Sequence, residues 1–248
     1  MEVEGVGKEK KENAYLDALE NAVRRAAGIR LLSVFQELRS GSAKEAITSR
    51  QSFMLGMSEG LVTEIDTLER AKLLPGELTN EEPVYRCRLR VTVRDRGEPD
   101  EFFQLNLVLQ PERKTFRNGE EVELRLSATR DCFVTVYNLG ADNQLYKVYP
   151  AADDQVPLVA DEVKTVTGLR IGLLEGMDQA SESIIAVATK EPFDLLSGGG
   201  RQNVTLRFEG NVQGQIRHVG EFTKLGRGLA RLSEDRWVLK SLGYSIIR

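Results

Sequence analysis

Tyr85-Arg86-Cys87-Arg88-Leu89-Arg90-Val91-Thr92-Val93 alternates apolar and polar residues without a break. A β-strand turns successive side chains to opposite faces, so Tyr85, Cys87, Leu89, Val91 and Val93 share a core face. Arg86, Arg88, Arg90, Thr92 and Arg94 then share the outer one, which reads as a solvated strand face rather than a polyanion site. Upstream, residues 60–73 read as a long partner strand, and Pro75-Gly76 with residues 80–83 as the loop between the two.

Further upstream the period changes. Residues 2–7 read as a short strand, and the charged run 8–12 leads into a helix. Tyr15, Leu19, Ala22, Val23 and Ala26 recur on one face of that helix, Glu20 and Arg24 form an i,i+4 pair, and Gly28 is a C-cap signal. Residues 29–39 suggest a further helix, Ser40-Gly41-Ser42 breaks it, and 43–57 is ambiguous. Strand, helices and hairpin together predict an α+β domain over 1–97. The polar run 95–100 (Asp-Arg-Gly-Glu-Pro-Asp) reads as the linker.

Beyond it, short strands succeed one another. Leu105, Leu107 and Leu109 alternate. Asn118-Gly119 is a turn signal, with Val122, Leu124 and Leu126 after it. Residues 132–137 and 145–149 pair across Gly140-Ala141-Asp142-Asn143, with later strands at 183–189 and 204–208. This spacing predicts an Ig-like antiparallel β-sandwich over 101–248. A helical C-terminal segment completes it: Phe222, Leu225, Leu229 and Leu232 recur at helical intervals, Ser233 is an N-cap for a last short helix carrying Trp237, and Gly243 ends it before an edge strand at 244–247.

The bulk properties are those of an ordinary folded chain: 248 residues, 41% hydrophobic and 29% charged. No stretch is long and apolar enough for an integral membrane span. Thirty-four basic against 38 acidic residues give a net charge of -4, which does not favour nucleic acid as a partner. The start, Met1-Glu2-Val3-Glu4, has neither a basic n-region nor an apolar h-region. It fits a cytoplasmic protein, or a periplasmic one whose signal peptide lies outside this sequence.

The search for chemistry is short. The single histidine, His218, excludes sites needing two imidazoles and reads as an exposed loop residue. Cys87 and Cys132 stand on the core sides of two strands and read as buried, unlinked thiols. The run 197–201 (Ser-Gly-Gly-Gly-Arg) lacks the Lys-Ser/Thr of a phosphate loop and reads as a flexible connection. Asp153-Asp154, with Asp142 and Asp161, has no calcium-loop spacing and reads as acidic loop tips. The expectation is therefore no catalytic residues, no cofactor-binding residues, no metal ligands and no cofactor.

Gly5-Val6-Gly7, Ala14, Ala18-Leu19, Ala22, Gly28 and the 85–93 strand together resemble the N-terminal domain of the flagellar ring protein FlgT and the related LPP-type outer-membrane lipoproteins. Phe116, Asn118-Gly119-Glu120, Asp131-Cys132-Phe133, Val136-Tyr137-Asn138 and Tyr149-Pro150 resemble a bacterial domain-of-unknown-function family that often follows enzymes, kinases or lipoprotein modules. Each of these residues also has a purely structural reading, and the combination carries the likeness. The resemblances imply a periplasmic or cell-envelope location and no catalytic activity. There is no lipobox cysteine, and FlgT's later domains differ from this second half. The leading expectation is a non-catalytic adaptor or scaffold with protein partners. Its alternatives are a small-ligand or glycan binder using sandwich-end loops, which an aromatic content of 6% weakens, and a carboxylate-dependent hydrolase.

Overall fold

A computed structural model describes residues 1–9, 11–27, 53, 57, 61–74, 83–142, 144–150, 156–196, 217–218 and 222–248. The fold is mixed α+β with mainly antiparallel sheets. Strand β1 (Glu2–Lys8), helix α1 (Lys11–Ala27) and strands β2 (Val62–Leu73) and β3 (Val84–Val93) form the first unit, a sheet of order β1-β3-β2 with α1 on one face. As the alternation in 85–93 predicts, Cys87, Leu89 and Val91 are buried.

The buried face of α1 is made of alanines: Ala14, Ala18, Ala22 and then Val23, with Tyr15 and Leu19 flanking and Ala26 exposed. The cause lies opposite. A Cβ on Gly5 or Gly7 would overlap the α1 backbone at Ala14, Ala18 or Asn13, so glycines on β1 and alanines on α1 let two backbones meet. The helix also seals the outer edge of β1. Arg25 donates to Glu2 O at 3.1 Å, Asn21 to Glu4 O at 3.0 Å and Asn13 to Lys8 O at 2.7 Å, while Asp17 accepts from Val6 N at 2.9 Å.

The rest of the chain builds two sheets. β4 (Leu105–Gln110), β6 (Glu121–Ala128) and β10 (Lys164–Arg170) form one, of order β10-β6-β4. β5 (Thr115–Arg117), β7 (Cys132–Leu139), β8 (Leu145–Tyr149), β11 (Gln179–Thr189), β12 (Arg217–His218) and β13 (Trp237–Ile247) form the other, with β9 (Pro157–Leu158) paired to β7. The order is β12-β8-β7-β11-β13-β5, and β13 runs parallel only to β5.

This larger sheet is buried on both faces. Val134, Val136, Ile184, Ala186, Tyr244 and Ile246 pack toward the leucines of β4 and β6. Tyr137, Leu139, Ile185, Val187, Trp237 and Leu239 pack the other way, against helix α2 (Phe222–Leu229) and against Val23, Phe53, Met57 and Leu61. Residues from both sides of the 95–100 segment therefore share one apolar cluster.

The C-terminal segment departs from its sequence expectation. The short helix after Ser233 is a single 3-10 turn, Glu234–Arg236, and Ser233 makes no capping bond from its side chain. Beyond that turn stands not a helix with a short edge strand but the eleven-residue β13, which pairs with β11 along its whole length. Its neighbours on both sides and its two buried faces outweigh the local helix signal. The helical C-terminal segment thus reduces to α2. Within the 95–100 run, Arg96 is buried at 8% exposure. At the α2 end its Nη2 donates to Leu229 O at 3.0 Å and its Nε to Leu232 O at 2.8 Å, and its Nη1 lies 2.8 Å from Glu234.

The helix expected over 29–39, the strand over 204–208, Gly28, residues 75–82, Asp153-Asp154 and 197–201 lie outside the described residues.

Candidate functional site

At one end of the two facing sheets, the loops enclose an open cleft of about 610 Å³ lined by Asp100, Thr129, Arg130, Asp131, Ala160 and Lys190. Asp100 precedes β4, residues 129–131 turn β6 into β7, Ala160 comes after β9, and Lys190 directly follows β11. Asp100 is the hub: its Oδ2 accepts from Lys190 Nζ at 2.8 Å and lies 3.8 Å from Arg130 Nε. The hydrogen bond from Lys190, ahead of all other causes, holds the Asp100 carboxyl below its ordinary pKa. Asp131 Oδ1 accepts from Ala160 N at 2.8 Å, fixing the loop after β9.

The rim carries Phe102, the most exposed large apolar side chain among the described residues, at 75% exposure. Its backbone is tied on both sides. Phe102 N donates to Asp100 Oδ1 at 3.0 Å, and Phe102 O accepts from Thr129 Oγ1, which itself accepts from Gln104 N at 2.9 Å. The next residue, Phe103, is fully buried, with Lys190 Nζ 5.7 Å from its ring centre. A buried Phe103 anchors the turn and aims Phe102 at solvent. Val159, half exposed, stands beside Ala160 on the same rim.

Chemically this is a charge-balanced floor, two cations with two carboxylates, under an apolar rim. A general acid at neutral pH needs a raised pKa, and Asp100 is shifted the opposite way by its ion pairs.

A second acidic cluster lies inside the sheets. Glu182 on β11, 6% exposed, accepts from Asn138 Nδ2 of β7 at 2.7 Å and from Tyr244 Oη of β13 at 2.8 Å, and from the backbone N–H of Ala141. Burial raises its pKa against those bonds. Tyr146 donates to Asp142, whose Oδ1 accepts from Gln144 N at 3.0 Å. Burial, then Glu182, pushes the Tyr244 phenol far up. The ring of Tyr244 meets Phe116 edge-on at 6.0 Å. These groups spend their hydrogen bonds on one another and join four strands, the work of a structural network.

The residues singled out by sequence occupy ordinary structural places. Arg88 pairs with Glu2 at 3.2 Å and Glu69 at 3.3 Å, and Arg90 with Glu2 at 3.0 Å, so the basic strand face is a lattice of paired charges. Cys87 and Cys132 are buried and free, in separate apolar clusters, and burial pushes the Cys132 thiol up to about 11. His218 is not a loop residue: it sits in β12, opposite Tyr146 of β8. Sequence reasoning passed over Asp100, Phe102 and Lys190. The Asp-x-Phe-Phe spacing, a capping acid before two adjacent phenylalanines of which a strand buries only one, was the available signal. No protein-family model matches the chain, and no curated protein matches it.

Proposed function

We propose that this chain is a non-catalytic adaptor of the bacterial cell envelope, acting through protein–protein contacts at the loop end that carries Phe102. The observation that carries this reading is Phe102 itself. An aromatic ring held in water by a fully tied backbone costs stability unless something covers it, and rigid aromatic anchors over polar floors are the usual centres of protein interfaces. The FlgT-like reading of 1–97 supplies the envelope location, and the Ig-like reading of 101–248 makes these loops the binding end of a sandwich.

The test compares wild type with Phe102→Ser, each immobilised and exposed to an envelope fraction from native cells. A partner retained by wild type and lost by the variant, with melting temperature unchanged, supports the proposal. An identical set of captured proteins sinks it. The glycan-binding alternative rests on the cleft volume, which lies within the ~300–1,000 Å³ of small-ligand sites. It predicts that short glycan fragments shift the NMR signals of residues 100–103 and 129–131 in the purified protein.

A further inference from the structure

Asn118-Gly119, between β5 and β6, is the only Asn-Gly step in the chain. Asparagine is thermally labile, and a glycine after it leaves the next backbone nitrogen uncrowded in its approach to the side-chain carboxamide. Both residues are exposed, at the end of β6 away from the Phe102 cleft. One short segment holds both reacting groups. Gly119 N donates to Ile171 O at 2.8 Å, and Asn118 Oδ1 accepts from Leu173 N at 2.9 Å. Ile171 N donates in return to Glu120 O at 2.9 Å. The Ile171 side chain is buried in the apolar cluster between the two larger sheets, which anchors the segment.

We infer that Asn118-Gly119 is a succinimide-forming modification site gated by residues 171–173, closed in the fold and open when that segment detaches. In the reaction a base takes the Gly119 N–H proton, and the nitrogen attacks Asn118 Cγ. The new N–C bond replaces the N–H bond, and the side-chain nitrogen leaves as ammonia. Water then opens the cyclic imide at either carbonyl and leaves an aspartyl or isoaspartyl residue at 118. The N–C bond forms in the direction in which the N–H pointed, so Cγ has to come to the place that Ile171 O holds. Ring closure therefore needs Gly119 released from Ile171. The grip of Leu173 N on Oδ1 also resists the swing of the carboxamide that must follow. The isoaspartyl product routes the main chain through an extra carbon, so Gly119 no longer meets Ile171 in register and the gate does not reclose. A chain modified in this way carries a permanent mark of past opening. The site is remote from the Phe102 cleft and does not rest on the adaptor reading.

The experiment is peptide mapping by mass spectrometry of the full chain after long incubation in mildly alkaline buffer, both folded and unfolded in guanidinium chloride. Position 118 is expected to convert to aspartyl and isoaspartyl products in the unfolded chain. In the folded chain it converts at least about tenfold more slowly, because the gate opens only transiently. Ile171→Ala loosens the anchor of the gate and is expected to raise the folded-state rate several-fold. Leu89→Ala, a truncation in the separate cluster under β1-β3-β2, is expected to leave that rate near wild type. Ile171→Val repeats the comparison with a smaller loss if Ile171→Ala does not fold. Equal rates in the folded and unfolded chain, an unfolded chain that keeps its amide at 118, or equal effects of the Ile171 and Leu89 variants would each overturn the inference.

Discussion

Arg96→Ala tests whether the 95–100 segment is a linker or a clasp. The guanidinium is 8% exposed, lies 2.8 Å from Glu234 and donates to the carbonyls of Leu229 and Leu232. Truncation leaves Glu234, itself 6% exposed, as a buried carboxylate without this cation, and uncaps the α2 end. Losing one partner of a buried ion pair costs about 3–5 kcal/mol. With a urea m-value of about 2–3 kcal/mol/M, the unfolding midpoint falls by about 1–2 M. The assay is built in: Trp237 is the only tryptophan, and its ring lies 5.6 Å from the Arg96 guanidinium carbon, so its fluorescence tracks this cluster directly. The control is Arg96→Met/Glu234→Met, which removes both charges and recovers most of the loss because neither charge is left behind. A midpoint shift below about 0.3 M for Arg96→Ala, or a loss just as large in a Glu234→Met background, refutes the clasp.

The packing sets three further outcomes. Gly5→Ala forces a methyl into the α1 backbone and is expected to cost about 3 kcal/mol, read by thermal melting; an unchanged melting temperature contradicts the backbone contact. Deleting 237–248 removes β13, the partner of β11 along all of Gln179–Thr189, and is expected to give an aggregating chain without a cooperative melt; a soluble truncation with native near-UV circular dichroism contradicts the topology. Glu182 has a folded pKa above its ordinary value of 4.5, so the unfolded chain releases this proton first as pH rises, and the group's contribution to stability falls from about pH 4.5 upward through the raised value. The stability of wild type relative to Glu182→Gln, measured by urea unfolding, should fall from pH 4.5 toward neutrality; a rise refutes the assignment.

The strands of the second half were legible where one face alone is apolar. Leu105, Leu107 and Leu109, and Val122, Leu124 and Leu126, bury one side each, and their period of two is plain. β13 was not legible, because a strand covered on both faces alternates little, and Ser233-Glu234-Asp235 imitates a helix start. On α1 the helix was evident but its buried face was misplaced toward Ala26, since alanines facing glycines carry no hydrophobic weight in a pattern search. Arg96 escaped notice for a related reason: nothing in a run of six polar residues marks the one that a distant helix end requires. The cleft escaped too, since Asp100, Arg130 and Lys190 come from three loops whose meeting depends on the register of the sheets.

The polar stripe Asn13, Asp17, Asn21 and Arg25 on α1 has a consequence for stoichiometry. A sheet that can be extended at both ends is a monomer unit of a fibre, and one that can be extended at a single end is not. Because four α1 side chains already occupy outer backbone groups of β1, that margin offers no open ladder to a further strand. Growth by strand addition is stopped on the β1 side of this sheet, and helix α1 thereby acts as a chain stopper in that direction.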